Sequence, residues 1–145
     1  MRTPVAPSYN WRMTTTQKAE APHFATAGLF LEALTARDFV RLASTMEPDG
    51  VMEALLPRGL RTCRGPDEIV AAFGDWFGDA DEFEVADAAV GCVGRVIQLR
   101  WRLLVRKPSR GPGQLVVEQQ AFARMAASGL IERLALVCSG FQEPG

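Results

Sequence analysis

The sequence predicts an α+β domain in which three helices come first and a strongly curved antiparallel sheet follows. Between residues 21 and 77 the apolar side chains recur mainly at helical spacing. Beyond residue 83 they alternate with polar ones. The clearest case is Val96 to Val105, where Ile97, Leu99, Trp101, Leu103 and Val105 point one way and Gln98, Arg100 and Arg102 the other. Glycine- and proline-rich turns separate these runs. Helices grouped first and antiparallel strands afterwards argue α+β rather than a doubly wound sheet. Three helices on one face of a curved sheet leave a cone, and its mouth is the natural ligand site.

Residues 1–20 are rich in Pro, Thr and Ala and aperiodic, so they read as a flexible arm before a domain spanning residues 21–141. Met13 is an alternative start, and Tyr9 and Trp11 are the arm's only aromatic residues. Ala21 to Ala36 reads as a helix through Ala27, Phe30, Leu31 and Leu34, with Pro22 in its first turn. Asp38 can cap a second, shorter helix with Phe39, Leu42, Ala43 and Met46 as its stripe. Pro48-Asp49-Gly50 reads as a turn, Val51 to Leu56 as a short strand, and Pro57-Arg58-Gly59 as another turn. Gly65-Pro66 opens a third helix, with Asp67 and Glu68 at its positive end and Ile69, Val70, Phe73, Trp76 and Phe77 on its buried side. Strands are expected over Phe83 to Val90, Val96 to Arg106, Leu115 to Met125 and Leu130 to Ser139. A loop is expected over Lys107 to Gly113 and a frayed tail from Phe141.

Composition excludes several function classes. At 145 residues the chain is one domain with length enough for a core. Lys and Arg number 16 against 17 Asp and Glu, for a net charge of −1, which argues against a nucleic-acid partner. No apolar run is long enough to span a membrane, and the N-terminus lacks the apolar core of a signal peptide. Three cysteines, Cys63, Cys92 and Cys138, are odd in number and widely spaced, which reads as a reduced, cytoplasmic protein. With a single histidine, His23, and no ligand spacing, neither a metal nor a cofactor is expected. Asp79, Asp81, Glu82 and Glu84 lack the spacing of a calcium loop and read as a solvated turn.

In a hairpin centred near Arg110-Gly111, Arg102 faces Glu118 and Arg100 faces Gln120. Two arrangements follow. If this face lines the cone, Glu118 is a general base and Arg100 binds a carboxylate or enolate oxygen. If it looks outward, the same residues are cross-strand pairs or a dimer rim. The opposite face, with Trp101 and four aliphatic residues, is the better partner for amphipathic helices. The ligand site is then lined by Phe30, Trp76, Leu99, Trp101 and Gln119. Gln119 is the lone polar residue on its apolar face and must bond to backbone, water or ligand. A one-residue register error exchanges the two arrangements.

Several short stretches resemble the nuclear transport factor 2-like superfamily, particularly its SnoaL-like branch. They are Phe30 to Phe39 running from the first helix into Asp38-Phe39, Met46 to Val51, Gly65 to Phe73, and Phe122 to Leu134 with Gly129-Leu130-Ile131-Glu132-Arg133. The resemblance covers most of residues 24–140 and implies a cone-shaped sheet under three helices, and commonly a homodimer. It covers isomerases, cyclases, dehydratases and epoxide hydrolases as well as members without catalysis, so fold does not choose among them. The tyrosine of the ketosteroid isomerases falls at Phe30 and their aspartate base at Ala54, with Glu53 adjacent but on the other face. A third polar group falls near Glu118. Two of the three places lack the chemistry, which rejects steroid isomerisation by that mechanism. Arg100 or Arg102 with Glu118 supplies only part of the aspartate–arginine–aspartate set of the epoxide hydrolases.

Two function classes follow. The first is a small-molecule pocket protein, acting on an apolar ligand by cofactor-free isomerisation, cyclisation or dehydration if it acts at all. The second is a non-catalytic association module that forms a homodimer through the outer sheet face. Carboxylate, tyrosine or histidine groups converging in the cone would favour the first; a filled cone would favour the second.

Overall fold

The computed structural model describes residues 21–144. The expected arm of residues 1–20, with Tyr9, Trp11 and Met13, lies outside them. Helix α1 (Ala21–Thr35) is followed by α2 (Phe39–Ala43), β1 (Met46–Leu56), β2 (Gly59–Arg64), α3 (Gly65–Phe77), β3 (Glu82–Val93), β4 (Val96–Arg106), β5 (Leu115–Met125) and β6 (Ile131–Cys138). The six strands form one sheet in the order β2-β1-β6-β5-β4-β3. Neighbours are antiparallel except β1 and β6, which run parallel and bring the first strand pair beside the last strand. This is the α+β, curled-sheet architecture expected from the sequence.

The helices lie on the face that carries Trp101, the second of the two arrangements. Ile97, Leu99, Trp101, Leu103 and Val105 of β4 are buried, while Arg100 and Arg102 are exposed. The β4–β5 register sets Arg102 opposite Glu118, Arg100 opposite Gln120 and Trp101 opposite Gln119, as the hairpin reading required. Asp38 caps α2 by accepting from the Arg41 N–H at 3.1 Å, and Pro66 sits in the first turn of α3.

Three elements differ from the sequence reading. Met46 belongs to β1 rather than to the second helix, which ends at Ala43 with Ser44 as its C-cap. Pro48-Asp49-Gly50 does not reverse the chain. It is a bulge inside β1, where the pairing with β6 jumps from Met46–Ile131 to Val51–Arg133. Pro48 has no N–H for the ladder, so the strand bends there instead of pairing. Gly50 fits this bend because a Cβ would lie 3.0 Å from the Glu47 carbonyl oxygen and 3.2 Å from that of Ile131. The sequence reading also left 60–64 unassigned, whereas β2 pairs along β1 from Val51–Arg64 to Leu56–Gly59. Its short, arginine-bearing pattern suits an edge strand.

The end of α3 is held by cations from elsewhere in the chain. Lys107, only 7% exposed, donates from Nζ to the Trp76 carbonyl at 2.9 Å and to that of Asp75 at 3.3 Å. Arg37, in a left-handed backbone conformation at φ 54°, donates from Nη1 to the carbonyls of Phe77 at 3.1 Å and Ala80 at 2.7 Å. The Asp75, Trp76 and Phe77 carbonyls lack partners within the helix and carry its negative pole, so two cations there satisfy both deficits, with Ala80 just beyond the helix end. They fix Trp76 and Phe77 against the sheet. No helix among the described residues is long and apolar enough to cross a membrane.

Candidate functional site

The side chains facing the helices form a cone lined by aromatic and aliphatic groups. At its centre the Phe30 ring lies 5.5 Å from Trp101 and 6.3 Å from Phe73, centroid to centroid. Phe30 and Leu99 are wholly buried and Trp101 nearly so, so the deep end of the cone is packed. Gln119 is 2% exposed and accepts from the Trp101 indole N–H through Oε1 at 2.7 Å. An indole nitrogen only donates, so the amide oxygen must face it, which turns Nε2 the other way. Nε2 has no acceptor among the described residues.

Above this core a cleft of about 420 Å³ opens between the β1–β2 turn, the end of α3, β5 and the chain after β6. Its walls are Trp76 and Phe77 from α3, Val117 from β5, Cys138 from β6, and Phe141. The volume falls within the range usual for small-molecule sites, about 300–1,000 Å³. Cys138 stands opposite Gln119 in the β5–β6 register, but Gln119 itself does not line the cleft.

Phe141 is in place because the tail is not frayed. Val116 donates to the Gln142 carbonyl at 2.7 Å and accepts from the Gln142 N–H at 2.9 Å, so the chain rejoins β5 after leaving β6. Gly140, at φ 79°, makes this route feasible: a Cβ there would sit 2.7 Å from Pro57 Cγ. Phe141 then packs 6.2 Å from Phe77, under the Lys107 ammonium at 4.8 Å and the Arg110 guanidinium at 4.4 Å.

The candidate residues divide between two faces. Phe30, Leu99, Trp101 and Gln119 lie together inside the cone, and Trp76 lies at the cleft, half-buried, 5.0 Å from Phe73. Arg100 and Glu118 stand on the other side of the sheet, against the arrangement in which both line the cone. Glu118 accepts from Arg102 Nε at 2.6 Å, and Arg100 lies 3.8 Å from Asp87. An open groove of about 340 Å³ carries Arg100, Arg102, Glu118 and Gln120 there, and reaches Trp101 and Gln119 between them. Strand alternation is the reason: Trp101 and Gln119 point inward, so their neighbours cannot. Ala54 faces inward and is wholly buried, while Glu53 faces outward and accepts from Arg133 at 3.1 Å.

Cys63 is buried on the inner side of β2. Burial pushes its thiol up from the ordinary value, with a nearby Arg61 opposing the shift. Among the described residues no group of His, Cys, Asp or Glu could hold a metal ion. The sequence reading missed Arg58, Arg110, Phe141 and Cys138 as cleft residues. The signal for Phe141 was an aromatic residue just after a glycine in an otherwise polar tail; the others carried none.

The sequence matches the SnoaL-like domain over residues 27–134. Similar solved structures include a putative polyketide cyclase from Xanthomonas campestris pv. campestris, with TM-score 0.65 and 14% identity over 80% of this chain and 89% of that one. A putative SnoaL-like polyketide cyclase from Shewanella denitrificans gives TM-score 0.64 and 13% identity over 82% and 91%. TerC co-crystallised with polyporic acid gives 0.60 and 16% over 80% and 90%. At these identities the likeness is one of fold. No curated protein matches the sequence.

Proposed function

The chain belongs to the SnoaL-like domain family, and on that premise we propose that it binds a small, largely apolar molecule in the cleft walled by Trp76, Phe77 and Phe141. The observation that carries this reading is the aromatic cleft itself, walled by Trp76, Phe77 and Phe141. Trp76 and Phe141 supply flat apolar contact. Polyporic acid bound to TerC, a protein of the same fold, is consistent with a site of this kind.

Binding rather than turnover is the function proposed. Cofactor-free isomerisation, cyclisation or dehydration needs a proton acceptor and a donor within reach of the substrate. Among the described residues, the inward faces of β1, β3, β4, β5 and β6 carry no Asp, Glu, His or Tyr. Calorimetric titration of the full chain with a neutral naphthalene amide tests the reading. Saturable binding that weakens at least about tenfold in Trp76→Ala is expected for a contact of this size. A folded protein that binds neither this probe nor other flat apolar molecules would sink it.

A second reading concerns the outer sheet face. Leu55, Leu60 and Val137 are 52%, 64% and 48% exposed. They stand side by side, because Leu55 pairs with Leu60 across β1–β2 and with Val137 across β1–β6. An apolar patch on adjacent strands, flanked by the Arg133–Glu53 and Arg102–Glu118 pairs, suits self-complementary pairing with a second copy. Sedimentation velocity tests this: a dimer that Leu55→Arg converts to monomer is expected, and a wild-type monomer excludes it.

A further inference from the structure

We propose that the ligand of the cleft is a flat apolar acid, its rings against Trp76 and Phe141 and its anionic oxygens held by Arg58 and Arg110. This rests on the cleft being the ligand site and adds the charge class of what it takes.

The cleft lining contains two arginines and no acidic residue. Neither arginine has a carboxylate partner among the described residues. Elsewhere among the described residues Arg41, Arg61, Arg100, Arg102, Arg106, Arg133 and Lys107 lie within 4.0 Å of one, while Arg37, Arg64, Arg95 and Arg124 do not but lie outside the cleft lining. Two unneutralised cations on one aromatic cleft repel each other and raise the local concentration of anions.

The backbone brings them there by separate routes that meet. Arg58 follows Pro57 in the β1–β2 turn, and Pro57 packs against Gly140, the residue before Phe141. Arg110 ends a 3-10 turn over Pro108–Arg110, its N–H donating to the Lys107 carbonyl at 2.8 Å. Lys107 is itself anchored on the end of α3. The Arg110 guanidinium lies over the Phe141 ring, which leaves its N–H edge free for oxygens.

Guanidinium is the group suited to this task. Its planar fork matches the two oxygens of a carboxylate, or those of a phosphate, while its face stacks on an aromatic ring. Carboxylate and phosphate ester share this chemistry and are separated by experiment. Lys107, the other cation near Phe141, is occupied by Asp79 and by the helix carbonyls.

Calorimetry with the full chain compares 2-naphthoate, 2-naphthamide and 2-naphthyl phosphate at low and high salt. The acid is expected to bind at least about tenfold more tightly than the amide, and salt narrows the gap. The Arg58→Gln/Arg110→Gln double variant is expected to erase the difference between acid and amide. A larger gain for the phosphate identifies a phosphate ester as the natural class; a larger gain for the naphthoate identifies a carboxylic acid. Equal binding of acid and amide to the wild type overturns the charge inference and leaves the cleft reading standing. Failure of all three to bind a protein with a native circular dichroism spectrum overturns both.

Discussion

The Trp101 indole N–H donates to the side-chain oxygen of Gln119 across the β4–β5 ladder at 2.7 Å, in the interior of the protein. This bond orients the amide and turns Nε2 away from the indole. Gln119→Leu leaves the indole N–H buried and unpaired, at a cost of about 1–3 kcal/mol. Trp101→Phe leaves the amide oxygen unpaired and adds a cavity. Because both remove the same bond, the double variant is expected to be more stable than the sum of the singles by about 0.5–3 kcal/mol. Denaturant unfolding of the four proteins measures this, and strict additivity would show that the bond contributes nothing.

Lys107 acts on the helix end more than on its charge partner. Asp79 is largely exposed, and such pairs are worth little. The carbonyls of Asp75 and Trp76 are not so easily replaced once the ammonium is removed. Lys107→Met is expected to lower stability by about 1–2 kcal/mol, and Asp79→Asn by less than about 0.5 kcal/mol. Equal losses in urea unfolding would assign the effect to the ion pair instead.

Gly140 is required by both its backbone and its neighbour. At φ 79° an alanine is strained, by about 1–2 kcal/mol, and its Cβ would meet Pro57. Gly140→Ala is expected to destabilise the protein by at least that much and to weaken binding in the cleft, since Phe141 follows it. Thermal unfolding and probe titration together check this; unchanged affinity would separate the tail from the site.

The outer-face pair Arg102–Glu118 is about half exposed on both sides. Either partner changed to alanine is expected to alter stability by less than about 1 kcal/mol, with the effect shrinking at high salt. A loss of several kcal/mol on denaturation would mean that this face is covered, as in a dimer.

The Cys63 thiol is raised by burial, so the folded state favours its neutral form. Its contribution to stability is full below the ordinary thiol pKa and is lost as pH rises through the raised value. Stability should therefore fall at alkaline pH, and less steeply in Cys63→Ala. In the native protein Cys63 should also react last with a thiol reagent, after Cys92 and Cys138, which are only half-buried. Early labelling of Cys63 would contradict its burial.

Periodicity alone determined much of this protein. The α1 and α3 helices, the strands β4 and β5 and the facing of Arg102 with Glu118 all follow from local spacing, because a strand's two faces are set by its own alternation. The absence of a hydroxyl at Phe30 and of a carboxylate at Ala54 was equally legible, since it concerns residue identity. What escaped the sequence depended on partners far along the chain. Pro48-Asp49-Gly50 has the composition of a turn, and only the neighbouring β6 makes it a bulge. The segment after Gly59 becomes a strand because β1 offers it an edge, and Phe141 becomes a wall because Val116 pairs with Gln142. Which sheet face meets the helices was open until all the strands were assembled, for alternation gives two faces but does not choose the one to bury. Tertiary packing made that choice by enclosing Trp101, Leu99 and Gln119 beneath Phe30. It thereby left Arg100 and Glu118 outside and brought Arg58 and Arg110, 52 residues apart in the chain, to one cleft.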